Sequence, residues 1–145
     1  MKHTRRHISF VLVLVVVPLM GCGSDSNQPT FPDLHPVKGV VKIGGKPVNG
    51  GSLRFNPDPE KPEFSIVSQV GADGTYTLTT VRTTDKQGER KTGAPAGKYK
   101  VTYTPLAGDQ TAGGLTAPVE LSAPVEVTAS ANDIPIELPA PPKKK

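Results

Sequence analysis

Much of this chain is a series of short segments in which apolar and polar residues alternate, each bounded by Gly, Pro or Asp-Gly, and this pattern limits the folds that it can adopt. The series runs from Val37 to Leu138. Successive side chains of a β-strand point to opposite faces, so this alternation is typical of strands with one buried face. No segment of the range has apolar residues at i, i+3 and i+4 over the length of a helix. The strands therefore have to bury their apolar faces against other strands.

Eight segments follow the pattern and predict seven or eight strands. We expect an all-β Greek-key sandwich over residues 37–139, formed by a single domain. The aromatic residues of this range fall at inward positions and should pack in the core: Phe55, Phe64, Tyr76, Tyr99 and Tyr103. The eight segments are Val37–Ile43, Leu53–Phe55, Phe64–Val70, Tyr76–Leu78, Tyr99–Tyr103, Val119–Leu121, Val125–Val127 and Ile134–Leu138.

Turn chemistry agrees with this assignment. Gly44-Gly45 and Asp73-Gly74 both tolerate positive φ, which two-residue hairpin loops require. Pro135 has no N–H to donate, so the last segment should be an edge strand. Two stretches without alternation, Arg82–Pro95 and Pro105–Pro118, predict loops, and loops of this length are often functional.

The N-terminus has the pattern of an export signal. Met1–His7 carries three Lys or Arg and no acid, and Ile8–Met20 is apolar except for Ser9. Thirteen helical residues span roughly 20 Å, whereas the hydrocarbon core of a bilayer is ~30 Å thick, so the run is too short for a permanent membrane helix. We expect residues 1–21 to be a cleaved signal peptide.

The residues Leu19-Met20-Gly21-Cys22 resemble the lipobox of bacterial lipoproteins. The resemblance implies that Cys22 becomes the mature N-terminus, with diacylglycerol on its sulfur and a fatty acyl group such as palmitate on its amine. Gly21 supplies the small side chain of a cleavage site, whereas Met20 departs from the Ala, Ser or Thr that is commoner there. The localisation implied is the bacterial cell envelope, with the protein bound to a membrane. The alternative is a plain secretory signal with an incidental cysteine, although the only Cys falls where the apolar run stops.

Both ends of the predicted domain differ from it in composition. Residues 22–36 have three Pro, several small polar residues and no periodicity, which predicts a flexible linker after the lipidated Cys22. Residues 140–145 predict an extended tail that ends in three Lys. Without the three basic residues of the leader and the three of the tail, 11 basic and 13 acidic residues leave a net charge of about −2. A domain with this balance has no cationic face for nucleic acid.

Several motifs of the domain resemble the carboxypeptidase regulatory-like or transthyretin-like module. Its usual V-x-G-x-V run corresponds to Val37–Val41, and its Gly-Lys-Pro turn corresponds to Gly45-Lys46-Pro47. Asp73–Leu78 and Pro95–Thr102 match its later hairpin and its G-x-Y-x-V strand. The resemblance implies a transthyretin-like or immunoglobulin-like sandwich, but these motifs specify a fold and not a chemistry. Hydrolases of the transthyretin-like family use several His that this chain lacks, so the resemblance does not imply hydrolase activity.

The residues offer little for catalysis or metal binding. His35 is the only His after the leader, and no G-x-S-x-G motif occurs. Asp58, Glu60 and Asp73 could be interpreted as calcium ligands, although the Asp-Gly turn already explains Asp73. We therefore expect a noncatalytic lipoprotein without a cofactor, whose sandwich is a structural or protein-interaction module of the envelope. The alternative is a carbohydrate-binding module that uses the Pro105–Pro118 loop, which leaves envelope proteins or glycans as partners.

Overall fold

A computed structural model describes residues 28–106 and 115–140, and this part of the chain consists of strands and loops without a helix. Over these residues no helix is long and apolar enough to cross a bilayer. The strands form a seven-stranded and a five-stranded sheet, which confirms the predicted all-β sandwich. They are β1 Val37–Ile43, β2 Lys46–Pro47, β3 Ser52–Asp58, β4 Phe64–Gln69, β5 Thr75–Thr77, β6 Thr79–Arg82, β7 Arg90–Thr92, β8 Gly97–Thr104, β9 Val119–Glu120, β10 Val125–Val127, β11 Asn132–Asp133 and β12 Ile136–Leu138.

The larger sheet is antiparallel throughout, in the order β10-β8-β3-β4-β6-β7, with β9 also paired to β8. The longest pairing joins β3 to β8, from Ser52 opposite Thr104 to Asp58 opposite Lys98. Residues 53, 55, 66, 68, 99, 101 and 103 alternate with more exposed neighbours and form the buried face. This is the period of two from which the strands were predicted.

The smaller sheet is built around β1. On one edge, β11 and β12 run parallel to β1 in the same register, since Asn132 faces Val37 and Ile136 faces Val41. On the other edge, β5 and β2 pair with β1 in the antiparallel direction. Pro135 lies between β11 and β12, where it needs no ladder hydrogen bond, and these strands pair with β1 alone. The edge strand predicted at Ile134–Leu138 forms over the shorter range Ile136–Leu138, and its parallel pairing with β1 was not predicted.

The core lies between the two sheets. It contains Val41 and Ile136 from the smaller sheet and Leu53, Phe55 and Val101 from the larger one. Four of the five aromatic residues predicted to be inward are buried, whereas Phe64 is only half-buried. Phe55 contacts two other rings of this set, with centroid distances of 6.3 Å to Tyr76 and 5.9 Å to Tyr99.

The two predicted turns form, but only one has the predicted length. Gly44 and Gly45 have φ of 57° and 77° and make the two-residue loop between β1 and β2. The second loop has three residues, because Gly74 N–H donates to Gly71 O and Gly71 N–H donates to Thr75 O. Such a loop needs positive φ only at its last residue, and Gly74 has φ of 78°.

The structure also corrects the prediction for residues 82–95. Within this stretch, residues 90–92 form β7, an edge strand paired with β6, and all three of its residues are exposed. An exposed strand has no apolar face, so no alternation marked it in the sequence. The strand predicted at Tyr76–Leu78 ends at Thr77 as β5, because the chain leaves the smaller sheet at the fully buried Leu78 and continues in the larger one as β6.

Candidate functional site

The predicted lipidation site lies outside the described residues. This applies to Leu19, Met20, Gly21 and Cys22, and to residues 107–114 of the predicted binding loop and 141–145 of the tail. The described part of that loop includes Leu106, which is 51% exposed. The candidate sites of the described chain therefore consist of residues from 28–106 and 115–140.

Residues 28–36, predicted to be flexible linker, lie against the domain. His35 exchanges two backbone hydrogen bonds with Ala94, at 2.9 and 3.0 Å. Gln28 accepts a hydrogen bond from the Thr84 hydroxyl at 2.8 Å. A linker has no periodicity to indicate such pairing, so composition alone suggested flexibility. The packed unit begins before the predicted boundary at Val37.

Phe31 is the centre of this packed segment. Its ring lies 5.3 Å from the ring of Phe64, Arg82 lies 5.2 Å from its centroid, and the Lys91 ammonium lies 4.6 Å from it. We call these four residues the Phe31 cluster. Cation–π contacts of this kind contribute ~0.5–1 kcal/mol at exposed sites, and an aromatic pair contributes ~0.5–1.5 kcal/mol.

Arg82 connects the cluster to its surroundings. Its guanidinium donates to the Pro29 carbonyl at 3.0 Å and contacts the carboxylates of Glu89 and Asp85, the latter at 3.5 Å. Hydrogen bonds from the backbone N–H groups of Gln87 and Glu89, together with Arg82, hold the pKa of Asp85 below its ordinary value. Arg82 Nε is buried without a hydrogen-bond partner among the described residues. The two carboxylates position Arg82, and its hydrogen bond to Pro29 holds residues 28–36 against the domain.

A cavity of about 260 Å³ opens beside this segment, where β3 ends and both β4 and β8 begin. We call it the proline-lined cavity, because four prolines line it together with apolar side chains of the larger sheet. Its apolar wall consists of Pro32, Pro57, Pro59, Pro95, Phe64, Ile66 and Tyr99. Three charged residues, Asp58, Lys61 and Lys98, complete its polar part and are all exposed. Pro32 belongs to the packed segment, so the cavity depends on that segment.

The hydroxyl group in the apolar wall is already bonded. Tyr99 donates from its hydroxyl to the Pro95 carbonyl at 2.6 Å. Burial raises the pKa of Tyr99 to about 12, so the hydroxyl is protonated at neutral pH. The interior of the cavity therefore has little hydrogen-bonding capacity left, and it suits an apolar group.

A second, more open groove of about 470 Å³ lies beside β4, where β5 and β6 separate. We call it the hydroxyl groove. Its polar lining consists of Ser68, Gln69, Thr75, Thr77, Thr79 and Arg90. Ser68 is occupied, because its hydroxyl accepts from Thr77 N–H at 3.2 Å and donates to the Gln69 carbonyl at 2.8 Å. The groove presents hydrogen-bonding groups together with apolar surface.

The structure does not bring the other acidic residues together. Asp73 accepts hydrogen bonds from the hydroxyl and N–H of Thr75, at 2.6 and 3.0 Å, and these bonds lower its pKa. Asp58 lies at the cavity, at the other end of β4. Over the described ranges, no three His, Cys, Asp or Glu side chains are grouped as a metal ion would require.

Sequence reasoning missed the two features that define these sites. Phe31 lies in a segment without periodicity, and the cavity is assembled from residues that are far apart in the chain. The one sequence signal that could have indicated the cavity is the number of prolines near the ends of β3, β4 and β8.

No protein-family model matches the chain. No curated protein and no solved structure matches it either.

Proposed function

We propose that this chain is a bacterial lipoprotein, held at a membrane of the cell envelope by lipid on Cys22, whose sandwich is a noncatalytic structural or protein-interaction module. The observation that carries the proposal is the position of the only cysteine, directly after a basic segment and an apolar run that is too short to span a bilayer. A thiol is the nucleophile that the attachment of diacylglycerol needs. The carboxypeptidase regulatory-like resemblance of the domain is part of the same proposal.

Lipid on Cys22 would bind a membrane durably. One acyl chain gives marginal binding, but diacylglycerol with an amide-linked chain buries many more methylenes, each worth ~0.8 kcal/mol. The packing of residues 28–36 shortens the tether that remains. Five residues separate Cys22 from Gln28, so at ~3.3–3.6 Å per residue the lipid would lie within about 20 Å of Gln28. Gln28 and the packed segment that follows it would then stay close to the membrane.

Residue types support the noncatalytic part of the proposal. After the leader the chain has a single His, His35, whose backbone pairs with Ala94. The abundant Ser and Thr have no G-x-S-x-G context. What the domain offers instead is a sandwich with a cavity and a groove on its surface, which suits binding to other envelope molecules.

Labelling with a radioactive fatty acid in a bacterial host tests the anchor. The wild type should incorporate the label, fractionate with membranes and have the intact mass of a chain that begins at Cys22. Cys22→Ala should lose label and membrane association, whereas the matched control Ser24→Ala should keep both. Equal labelling of wild type and Cys22→Ala, or no labelling of either, would contradict the proposal.

Carbohydrate binding is a second candidate function, and the hydroxyl groove favours it. Its hydroxyl, amide and guanidinium groups could bond to sugar hydroxyls, although the ring of Tyr76 at its base is buried. A glycan array should then show binding by the wild type that Gln69→Ala and Arg90→Ala each weaken. Binding that survives both substitutions would exclude this groove as the site.

A further inference from the structure

The proline-lined cavity has the size and lining of a ligand site. At about 260 Å³ it is larger than the ~150 Å³ apolar cavities that bind benzene, and close to the lower end of the ~300–1,000 Å³ range of ligand pockets. Proline rings offer no N–H donor, and the Tyr99 hydroxyl is bonded to Pro95. A sugar placed here would lose hydrogen bonds to water without replacing them, so the group that enters has to be apolar.

The charged residues of the cavity indicate which end of the ligand stays outside. Lys61 and Lys98 are exposed and line the cavity, and neither forms an ion pair with another described residue. Asp58 also lines it and lies opposite Lys98 across β3 and β8. Two cations against one anion leave a net positive charge beside an apolar interior. This combination suits an apolar chain that ends in an anionic group.

We propose that the proline-lined cavity binds the alkyl chain of a fatty carboxylate, with the carboxylate held near Lys61 and Lys98. The proposal goes beyond the proposed function and does not require lipid on Cys22. The same chemistry could reach the site from free fatty acid or from the bilayer surface. If Cys22 is lipidated, the short tether keeps the Pro32 wall of the cavity close to that surface.

Decanoate is the probe, used below its micelle concentration with the full chain carrying Cys22→Ala, which alters no residue of the cavity. Amide NMR signals of Gly97, Lys98 and Tyr99 should shift on titration, and those of the β1–β2 hairpin should not. Over the series from hexanoate to decanoate, affinity should rise about threefold to fourfold per methylene, because each one leaves water for an apolar wall. No binding, shifts confined to other residues, or affinity independent of chain length would overturn the proposal.

Two variants with matched controls locate the site. Ala96→Phe puts a ring into the cavity mouth and should weaken decanoate binding at least tenfold, whereas Ala72→Phe, at the other end of β4, should not. Lys61→Glu should weaken it about threefold to tenfold and Lys46→Glu, in the hairpin, should not. Lys61 is exposed, so this second pair keeps the test valid if Ala96→Phe fails to fold.

Sedimentation with phosphatidylglycerol vesicles containing a fatty acid separates the two sources. Sedimentation that Ala96→Phe abolishes would support the bilayer as the source, and decanoate binding without sedimentation would support free fatty acid. Equal affinity for decanoate and for decyltrimethylammonium would refute the role assigned to the lysines.

Discussion

Gly39→Ala tests a close approach in the smaller sheet, between β1 and the segment that joins β11 to β12. A Cβ atom at Gly39 would lie 2.0 Å from the carbonyl oxygen of Ile134, 2.7 Å from its carbonyl carbon and 2.9 Å from the ring of Tyr76. Ordinary contacts between carbon atoms are ~3.5–4.0 Å, so the edge that holds Ile134 has to move by more than 1 Å. The two nearest atoms belong to the backbone of Ile134, which cannot move away from the new methyl group as a flexible side chain could.

The cost follows from what that movement breaks. Ile134 N–H donates to the Lys38 carbonyl at 2.8 Å, and the Tyr76 hydroxyl donates to the Ile134 carbonyl at 2.7 Å. Each lost hydrogen bond costs ~0.5–1.5 kcal/mol, and overpacking costs ~1–3 kcal/mol. We expect the free energy of unfolding to fall by about 3 kcal/mol, and the midpoint of thermal unfolding to fall by roughly 10–20 °C.

Urea denaturation followed by circular dichroism measures this loss. Gly44→Asn is the matched control, because nothing lies within 4 Å of its Cβ position and Asn tolerates the φ of 57°. It should change stability by less than about 0.5 kcal/mol. In a double-mutant cycle, Tyr76→Phe should cost much less in the Gly39→Ala background than alone, because the hydrogen bond is already broken. Stability of Gly39→Ala close to wild type, or strict additivity with Tyr76→Phe, would refute the reasoning.

Three further predictions concern other parts of the fold. Burial raises the pKa of Tyr99 from 10.0 to about 12, so the stabilisation from its protonated form is complete below pH 10 and is lost as the pH rises to 12. Urea titrations should therefore show that the free energy of unfolding of Tyr99→Phe declines less than that of the wild type between pH 10 and pH 12. An identical decline would contradict this. Asn132→Ala removes four hydrogen bonds, three to Thr128 and one to Ser130. Urea denaturation should show a loss of about 2–4 kcal/mol in the free energy of unfolding, and a loss below about 1 kcal/mol would be inconsistent with those bonds. Phe31→Ala should speed hydrogen exchange at the Ala94 amide about tenfold by releasing residues 28–35, and unchanged exchange would exclude the docking role of the ring.

The strands could be predicted where the buried face consists of apolar side chains. In β8, Tyr99, Val101 and Tyr103 are buried while Lys98 and Lys100 are exposed, and the sequence shows the same alternation. β7 could not be predicted, because Arg90, Lys91 and Thr92 are all exposed and an edge strand of this kind is specified by its neighbour. Its charges also discourage pairing with another chain.

The candidate site was less predictable than the fold because it depends on long-range contacts. Phe31 belongs to a segment whose composition is that of a linker, yet it packs against residues 33 to 60 positions later in the chain. The V-x-G-x-V motif shows a related limit. Its Gly39 is needed because Ile134 approaches it, and that cause lies 95 residues away.

The direction of β1 bears on how a lipidated chain would stand on a membrane. Residues 28–36 precede β1, whereas β12 ends beside the β1–β2 hairpin, where Leu138 faces Ile43 and Gly45 N–H donates to Glu137. The seven residues of β1 span roughly 20 Å. Residues 28–36 and the end of β12 therefore lie toward opposite ends of this strand. If Cys22 carries lipid, as proposed, the end of β12 would lie on the side of the sandwich away from that lipid.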